Sequence, residues 1–416
     1  MKRFLSLTVL IFVFSSVSIF AQDTIKILSW NLLGYKAAPS SRDQYFRKVI
    51  KAVDPDIIIV NEIDGQSTVT GFLNNVANYY TPELYKPTTY INGFDTDNAL
   101  YYKPVKLQFI LNYAISTPQG RDINLFIMKD IRQDVTFNVL GCHLKAGNTA
   151  TDAQRRAGEC TALRVFTNSQ APGTYNIIVG DFNLYASTDS AYKVLTAITP
   201  GNTGHFIDPN PLTGTWNNFN YRAYHTQSTR TRQLPDSGST GGMDDKFDLV
   251  LYSKGIADGT GAVTYIPNSY KPYGNDGNHY NDSINKRPNT AVPDSIADAL
   301  HYASDHLPTV SMFRIYNGVS VNQIGSIVPD KFELKQNYPN PFNPETKIKF
   351  DIQKSGYVRL SVYNSLGQKI TDLVNQNLSA GEYETNWNAK DFASGIYIYR
   401  LETDNFTQTK QMLLIK

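Results

Sequence analysis

The feature that most constrains this chain is a recurring texture: short apolar runs that stop abruptly at a carboxylate, an amide or an imidazole. Ile25 to Trp30 stops at Asn31, Ile57 to Val60 at Asn61 and Glu62, Phe137 to Cys142 at His143, and Ile177 to Gly180 at Asp181 and Asn183. Val250-Leu251 instead begins at its acid, Asp248, which reads as a strand running the other way, and Ser304-Asp305-His306 precedes Leu307 to Val310. Runs of this length, rich in β-branched residues, read as buried strands. One polar strand end is an ordinary turn former. Six of them on aligned strands gather carboxylates and imidazoles at one rim, where the acids repel unless a cation lies among them. Oxygen donors without a Cys/His cluster favour Mg²⁺, with Mn²⁺ or Ca²⁺ as alternatives, over zinc.

The spacing already suggests chemistry. Asp181 and Asn183 are two residues apart, so on an extended strand they point to the same side, one suited to activating a water and the other to holding a phosphate oxygen. Asp248 and the Asp305-His306 pair offer an imidazole whose tautomer a buried carboxylate can fix. Phosphoryl transfer needs three things: charge neutralised on the non-bridging oxygens, an aligned water and a proton for the leaving oxygen. A divalent ion, Asp181 and a histidine would supply them.

Organisation follows from the flanks. Met1-Lys2-Arg3, an uncharged run to Phe20, and Ala21 before a polar chain describe a secretory signal peptide over residues 1–22. No later segment is apolar enough to span a bilayer, so stable membrane insertion is not expected. Residues 23–318 alternate strands with amphipathic helices, as in Arg42 to Val53, and form an α/β domain. A linker is expected over 319–336. Residues 337–416 hold short strands punctuated by turns, a small antiparallel sandwich. Thirty-nine Lys+Arg against 37 Asp+Glu give a net charge of +2, so no overall field draws a polyanion and any anionic substrate must be held locally. Two cysteines, Cys142 and Cys160, exclude a disulfide scaffold. In an oxidising compartment they are either one disulfide or two buried thiols.

Taken in order, Trp30-Asn31-Leu32, Asn61-Glu62, Gly141-Cys142-His143-Leu144-Lys145, Gly180-Asp181-Phe182-Asn183, Asp248-Leu249-Val250 and Ser304-Asp305-His306-Leu307-Pro308 resemble the motifs of the endonuclease/exonuclease/phosphatase superfamily. The resemblance implies a four-layer αββα sandwich and metal-dependent phosphoester hydrolysis. By motif position it implies Glu62 as the main metal ligand, with Asn31 close to it and Asp305 near the metal. It gives Asp181 the attacking water, Asn183 the phosphate, and His143 and His306 acid/base and phosphate-binding roles, with Asp248 orienting His306. The deoxyribonuclease-like branch pairs its first histidine with an acidic residue, for which the resemblance offers Asp97 as the candidate.

The C-terminal region, through Tyr338-Pro339-Asn340-Pro341-Phe342-Asn343-Pro344, Val362-Tyr363-Asn364 and Ser394-Gly395-Ile396-Tyr397, resembles the sorting domain of type IX secretion. That implies export through the periplasm to the cell surface or medium, with the secretion machinery as a partner.

Substrate choice falls to the rim. Arg230 and Arg232, two arginines on one face of an extended segment, are candidate substrate-binding residues, as are Lys145 and Arg155. Arg155 and Arg156 also suit helical pairs with Asp152 or Glu159. A Tyr-rich insertion over 265–302, with Tyr270, Tyr273 and Tyr280, suits either base stacking or ordinary loop packing. The expected activity is a monomeric, secreted nuclease acting on DNA or RNA. The alternatives are a lipid or small phosphoester hydrolase, and an inactive surface-binding protein.

Overall fold

The computed structural model describes residues 23–93, 97–118, 120–259, 261–316, 322–325, 328–389 and 392–416. The expected signal peptide, residues 1–22, lies outside the described residues, as does part of the expected linker.

Two sheets form the first domain. One runs Val263–Tyr265, Thr309–Ile315, Asp23–Tyr35, Ile57–Ile63, Asp97–Tyr102, Lys86–Pro87, with Lys271–Pro272 also on Thr309–Ile315; the other runs Leu107–Ile115, Ile123–Asp130, Val135–His143, Asn176–Asp181, Asp248–Ser253, Phe206–Ile207. Each is centred on a parallel pair, Asp23–Tyr35 with Ile57–Ile63 and Val135–His143 with Asn176–Asp181. Each pair is flanked by antiparallel neighbours. Asp248 starts its strand directly opposite Asp181, the reversed direction that its leading acid implied.

Strand alternation sorts the side chains into layers. Ile25, Ile27, Ile57, Ile59 and Leu100 of one sheet meet Phe126, Met128, Val139, Ile177, Val179 and Val250 of the other. Residues of opposite parity, Trp30, Ile58 and Val60, pack with Phe46, Val49 and Ile50 of the helix Asp43–Val53 and with Leu300 of the helix Asp294–Ala303. Cys142, Ile178, Leu249 and Leu251 pack with Leu163 and Leu195 of the helices Ala150–Ser169 and Ser190–Thr196. The result is the four-layer αββα sandwich. Helix Asp43–Val53 fits because Phe46, Val49, Ile50 and Val53 recur on one face. Ala150–Ser169 starts at a Thr149–Asp152 capping box. At Gly141 an added Cβ would sit 2.8 Å from Ile59 Cδ1, so glycine lets the sheets approach next to His143.

One step further along the same inner faces, the layer between the sheets turns polar. Asn31, Asn61, Asn98, Asn124, His143, Asp181, Asp248 and Thr309 are all buried there. Period-two alternation thus places the polar strand ends on the face that is apolar one or two steps earlier.

The second domain is two four-stranded antiparallel sheets: Asn322–Gly325, Gly381–Asn388, Glu345–Ile352, Glu333–Leu334, and Lys369–Leu378, Gly356–Asn364, Gly395–Thr403, Phe406–Leu414. Phe350, Val362, Trp387, Tyr399 and Leu414 lie in its core. The expected linker over 319–336 needs correction, because Asn322–Gly325 and Glu333–Leu334 are edge strands of this sandwich. Two to four residues suffice for an edge strand, too short a run to stand out from a loop by alternation.

Candidate active site

The polar end of the inter-sheet layer is built around three side chains. Asn31 Nδ2 donates to Glu62 Oε1 (3.0 Å) and to Asp181 Oδ2 (3.1 Å), bridging the two sheets, and Asn31 Oδ1 accepts from Leu33 N. Glu62 Oε2 accepts from Gly34 N (2.7 Å). Leu33, Glu62 and Asn183 have φ of 52°, 63° and 49°, the left-handed region, which costs residues with a Cβ about 1–3 kcal/mol each. Asn tolerates it best among residues with a Cβ; the Asn183 amide itself reaches across to the loop after the neighbouring strand, Nδ2 donating to Leu144 O. Gly180, before Asp181, has φ +140°, and a Cβ would fall 1.9 Å from Cys142 O, so only glycine fits.

Two imidazoles face this centre. His143 Nε2 lies 3.7 Å from Asp181 Oδ2 and 3.9 Å from Glu62 Oε1. His306 Nε2 lies 3.8 Å from the same Asp181 oxygen, while its Nδ1 is 2.8 Å from Asp248 Oδ2. Their environments drive them apart. Burial, with Arg121, His306 and Lys145 nearby, holds His143 well below the usual histidine range, so it stays neutral. Burial also opposes charge on His306, but Asp248, Asp181 and Asp305 outweigh it and hold the ring well above that range. Burial, reinforced by Asp248 and opposed by His306, pushes Asp181 up to about 7. The main chain of Asp248 is held on both sides: Thr226 Oγ1 accepts from Phe247 N and Asp248 N, and Tyr270 Oη donates to Asp248 O (2.8 Å).

Three contacts tie the Asn31 end of the site to the His306 end, across more than 260 residues of sequence. Trp30 Nε1 donates to His306 O (2.8 Å), Ser304 Oγ donates to Asn31 O (2.7 Å), and the Arg42 guanidinium donates to the carbonyls of Leu32, Leu33 and Ala303. Sequence reasoning missed Thr226 and Arg42, and saw Tyr270 only as a stacking or packing ring. All three act on main-chain atoms, for which residue type gives no signal.

The rim differs from expectation in several places. Arg230 is fully buried and its Nη1 grips both oxygens of Asp236 (2.7 and 2.8 Å), so it is a structural ion pair and not a substrate ligand. Arg232 is exposed. Arg156 is buried, donating to Lys145 O, Gly147 O and Asp189 Oδ2, which shapes the loop after His143; its acidic partner is neither Asp152 nor Glu159. Arg155 is exposed, and Lys145 pairs with Asp152 at 3.4 Å. Asp97 accepts from Tyr90 Oη and Gly93 N. The Tyr-rich insertion packs inward: Tyr270 belongs to the layer between the sheets and Tyr273 packs on the core under the helices, because the segment wraps the site and carries the helix Asp294–Ala303. Cys142 and Cys160 are two buried free thiols.

Among the described residues, no three His, Cys, Asp or Glu side chains close into a metal cage. A hard divalent ion needs less, since Mg²⁺ keeps most of its waters and takes one or two carboxylates. Glu62 is partly exposed with Asn31 beside it, and Asp305 keeps one buried oxygen, Oδ1, without a partner while Ser239 N occupies the other. The Glu62 and Asn31 pair fits such an ion, with the Asn31 amide turned to offer its oxygen.

The family model described as the Endonuclease/Exonuclease/phosphatase family matches residues 28–306, and the Secretion system C-terminal sorting domain matches residues 336–416. No curated protein matches the chain. Similar solved structures include D. rerio TDP2 complexed with single strand DNA product (16% identity, 70% of this chain, 99% of that one, TM-score 0.45). Others are the human Nocturnin catalytic domain with bound sulfate (16%, 70%, 94%, 0.42) and a Bacteroides thetaiotaomicron endonuclease/exonuclease/phosphatase family protein (13%, 70%, 95%, 0.42).

Proposed function

Because the chain belongs to the Endonuclease/Exonuclease/phosphatase family and carries a secretion sorting domain, we propose that it is an exported, metal-dependent phosphodiesterase that hydrolyses nucleic acid outside the cell. The sorting domain directs type IX export to the surface or medium, and among the described residues no helix is long and apolar enough to cross a membrane. In this reading residues 1–22 are a signal peptide removed on export.

The observation that carries the reading is Asp181 Oδ2, which sits between two histidine nitrogens at 3.7 and 3.8 Å and receives Asn31. A carboxylate whose pKa is pushed up to about 7 is matched to taking a proton from water near neutral pH. Charged His306, fixed by Asp248, places a proton and a positive charge where the leaving oxygen develops charge. Neutral His143 and Asn183 offer hydrogen bonds to the other phosphate oxygens. A divalent ion held by Glu62 with the help of Asn31, and of Asp305 if it reaches the same ion through a water, would neutralise a non-bridging oxygen.

Nucleic acid is favoured over lipid by the exposed cations Arg155 and Arg232 and by Phe219, which is 55% exposed with the Arg222 guanidinium 4.0 Å over its ring. Cations suit backbone phosphates and an exposed ring suits a base. Incubation with plasmid DNA or RNA at low salt tests this. Cleavage is expected with Mg²⁺, fading as salt rises and abolished by EDTA or Glu62→Gln. Inertness to both polymers alongside turnover of sphingomyelin or an inositol phosphate would overturn the substrate class, and turnover in EDTA would overturn the metal.

A further inference from the structure

A half-buried side chain that no motif contains sits on the working nitrogen of the catalytic histidine. The Gln227 side-chain amide lies 2.6 Å from His306 Nε2. A ring that carries a proton on Nε2 donates there, so the amide turns its oxygen to the ring and leaves its NH2 group to donate to an incoming oxygen. The other ring nitrogen of His306 is committed to Asp248, so Nε2 is the ring nitrogen left to meet a substrate. Any substrate oxygen that reaches it arrives within hydrogen-bond range of the Gln227 amide.

The amide is also held in advance. Gln227 forms antiparallel bridges with both His306 and Asp245. Its main chain exchanges hydrogen bonds with Asp244 and Asp245, while Thr226 O accepts from Leu307 N and Thr229 N donates to Asp305 O. Directly paired residues of antiparallel segments project to the same side, which places the Gln227 amide beside the imidazole. Asn31 is engaged with Glu62 and Asp181, and Asn183 spends one of its two amide hydrogens on Leu144 O, so neither lies against His306 Nε2 as Gln227 does.

We propose that Gln227 is a substrate-contacting residue, its side-chain amide donating to the phosphoryl oxygen that approaches His306 Nε2 and holding the phosphate while Asp181 directs the water. The inference rests on the phosphodiesterase reading above and adds a residue that the motifs omit. A fixed donor aimed at an oxygen that gains charge in the transition state is worth about 10²–10³-fold in turnover when removed.

The test uses the full secreted protein with Mg²⁺, bis(p-nitrophenyl) phosphate as substrate and orthovanadate as a phosphate-like ligand. Gln227→Ala is expected to lower kcat by at least tenfold with a smaller change in KM, and to weaken vanadate binding in calorimetry by a similar factor. Gln227→Glu keeps length and packing but replaces the donor with a charged acceptor, so it should be at least as impaired while melting like wild type. Variants within twofold of wild type in both turnover and vanadate affinity, with His306→Ala inactive, would overturn the assignment. If wild type turns over no phosphoester, the phosphodiesterase reading fails, and the vanadate comparison still decides whether Gln227 contacts an oxyanion.

Discussion

Both domains face two sheets across an apolar layer, and the two layers end differently. In the C-terminal sandwich Phe350, Leu360, Val362, Tyr383, Trp387 and Leu401 fill the space. Polar groups such as Asn337, Thr346 and Ser361 are tied to close neighbours, Thr346 Oγ1 to Pro339 O and Ser361 Oγ to Asp372. In the catalytic sandwich the same kind of layer turns at one end into Asn31, His143, Asp181 and Asp248, with left-handed backbone at Glu62 and Asn183, whereas the positive-φ residues described in the tail are glycines. Burying polar groups there costs stability and produces shifted protonation states. The difference separates what holds a sandwich together from what makes one reactive.

The largest effect that tests this contrast is on turnover. His306→Ala removes the buried imidazole, and Asp248→Asn removes the charge that supports it; each should lower kcat by about 10²–10⁴-fold. Asp248→Asn, which keeps a side chain of the same size on His306 Nδ1, should leave thermal stability near that of wild type, whereas His306→Ala strands the buried Asp248 carboxylate and should lower it. A loss under tenfold, or a protein that no longer folds, would erase the distinction. The reverse experiment is Trp387→Ala in the tail. Trp387 is 3% exposed, packed on Phe342 and Tyr397, and its truncation should cost about 3–5 kcal/mol. Urea unfolding and limited proteolysis would register the loss within the tail, and kcat should not change. A fall in kcat would mean that the tail supports the site.

Much of the site was legible because alternation holds as far as Asn31, Asn61, His143 and Asp181. It breaks just beyond: Glu62 and Asn183 take left-handed backbone and the strand ends at Asp181, so the extended segment expected to put Asp181 and Asn183 on one side is not there. A residue two positions beyond a core isoleucine points the same way, so Asn31, Asn61, Asp181 and His143 fall on one inner face, and the reversed Asp248 strand joins them. The four-layer architecture follows from the same parity. Other parts were not legible. Arg230 looked available because two arginines in an extended segment resemble a phosphate clamp, but Asp236 folds back onto it in a loop whose course local pattern does not specify. Tyr270 looked like a stacking residue because exposure cannot be read from residue type; its hydroxyl instead holds Asp248 O. Gln227 and Arg42 act through segments brought together only by tertiary folding.

The smallest effect concerns Glu159, which supports the loop after His143. Its Oε2 accepts from Lys145 N at 3.0 Å, and its Oε1 is buried without a partner. Burial pushes its carboxyl up to about 7, against the pull of the Lys145 N–H, Arg121 and Arg156. In the unfolded chain a glutamate titrates near 4.3. The folded state therefore holds the proton more tightly. The stability this contributes is complete below about pH 4, and it is lost as pH rises towards and through 7, by on the order of 3 kcal/mol. Glu159→Gln keeps an oxygen for Lys145 N and cannot ionise. The variant should thus match wild type near pH 4.5 and gain on it steadily up to pH 8, where its Tm should be higher by several degrees. Asp181 titrates in the same window, which is why the difference between the two proteins, rather than the wild-type curve, carries the test. Parallel Tm curves from pH 4.5 to 8 would mean that Glu159 is already charged in the fold, its carboxylate compensated by Arg121 and Arg156, and that this domain bears its buried acids at a lower cost than the contrast with the tail implies.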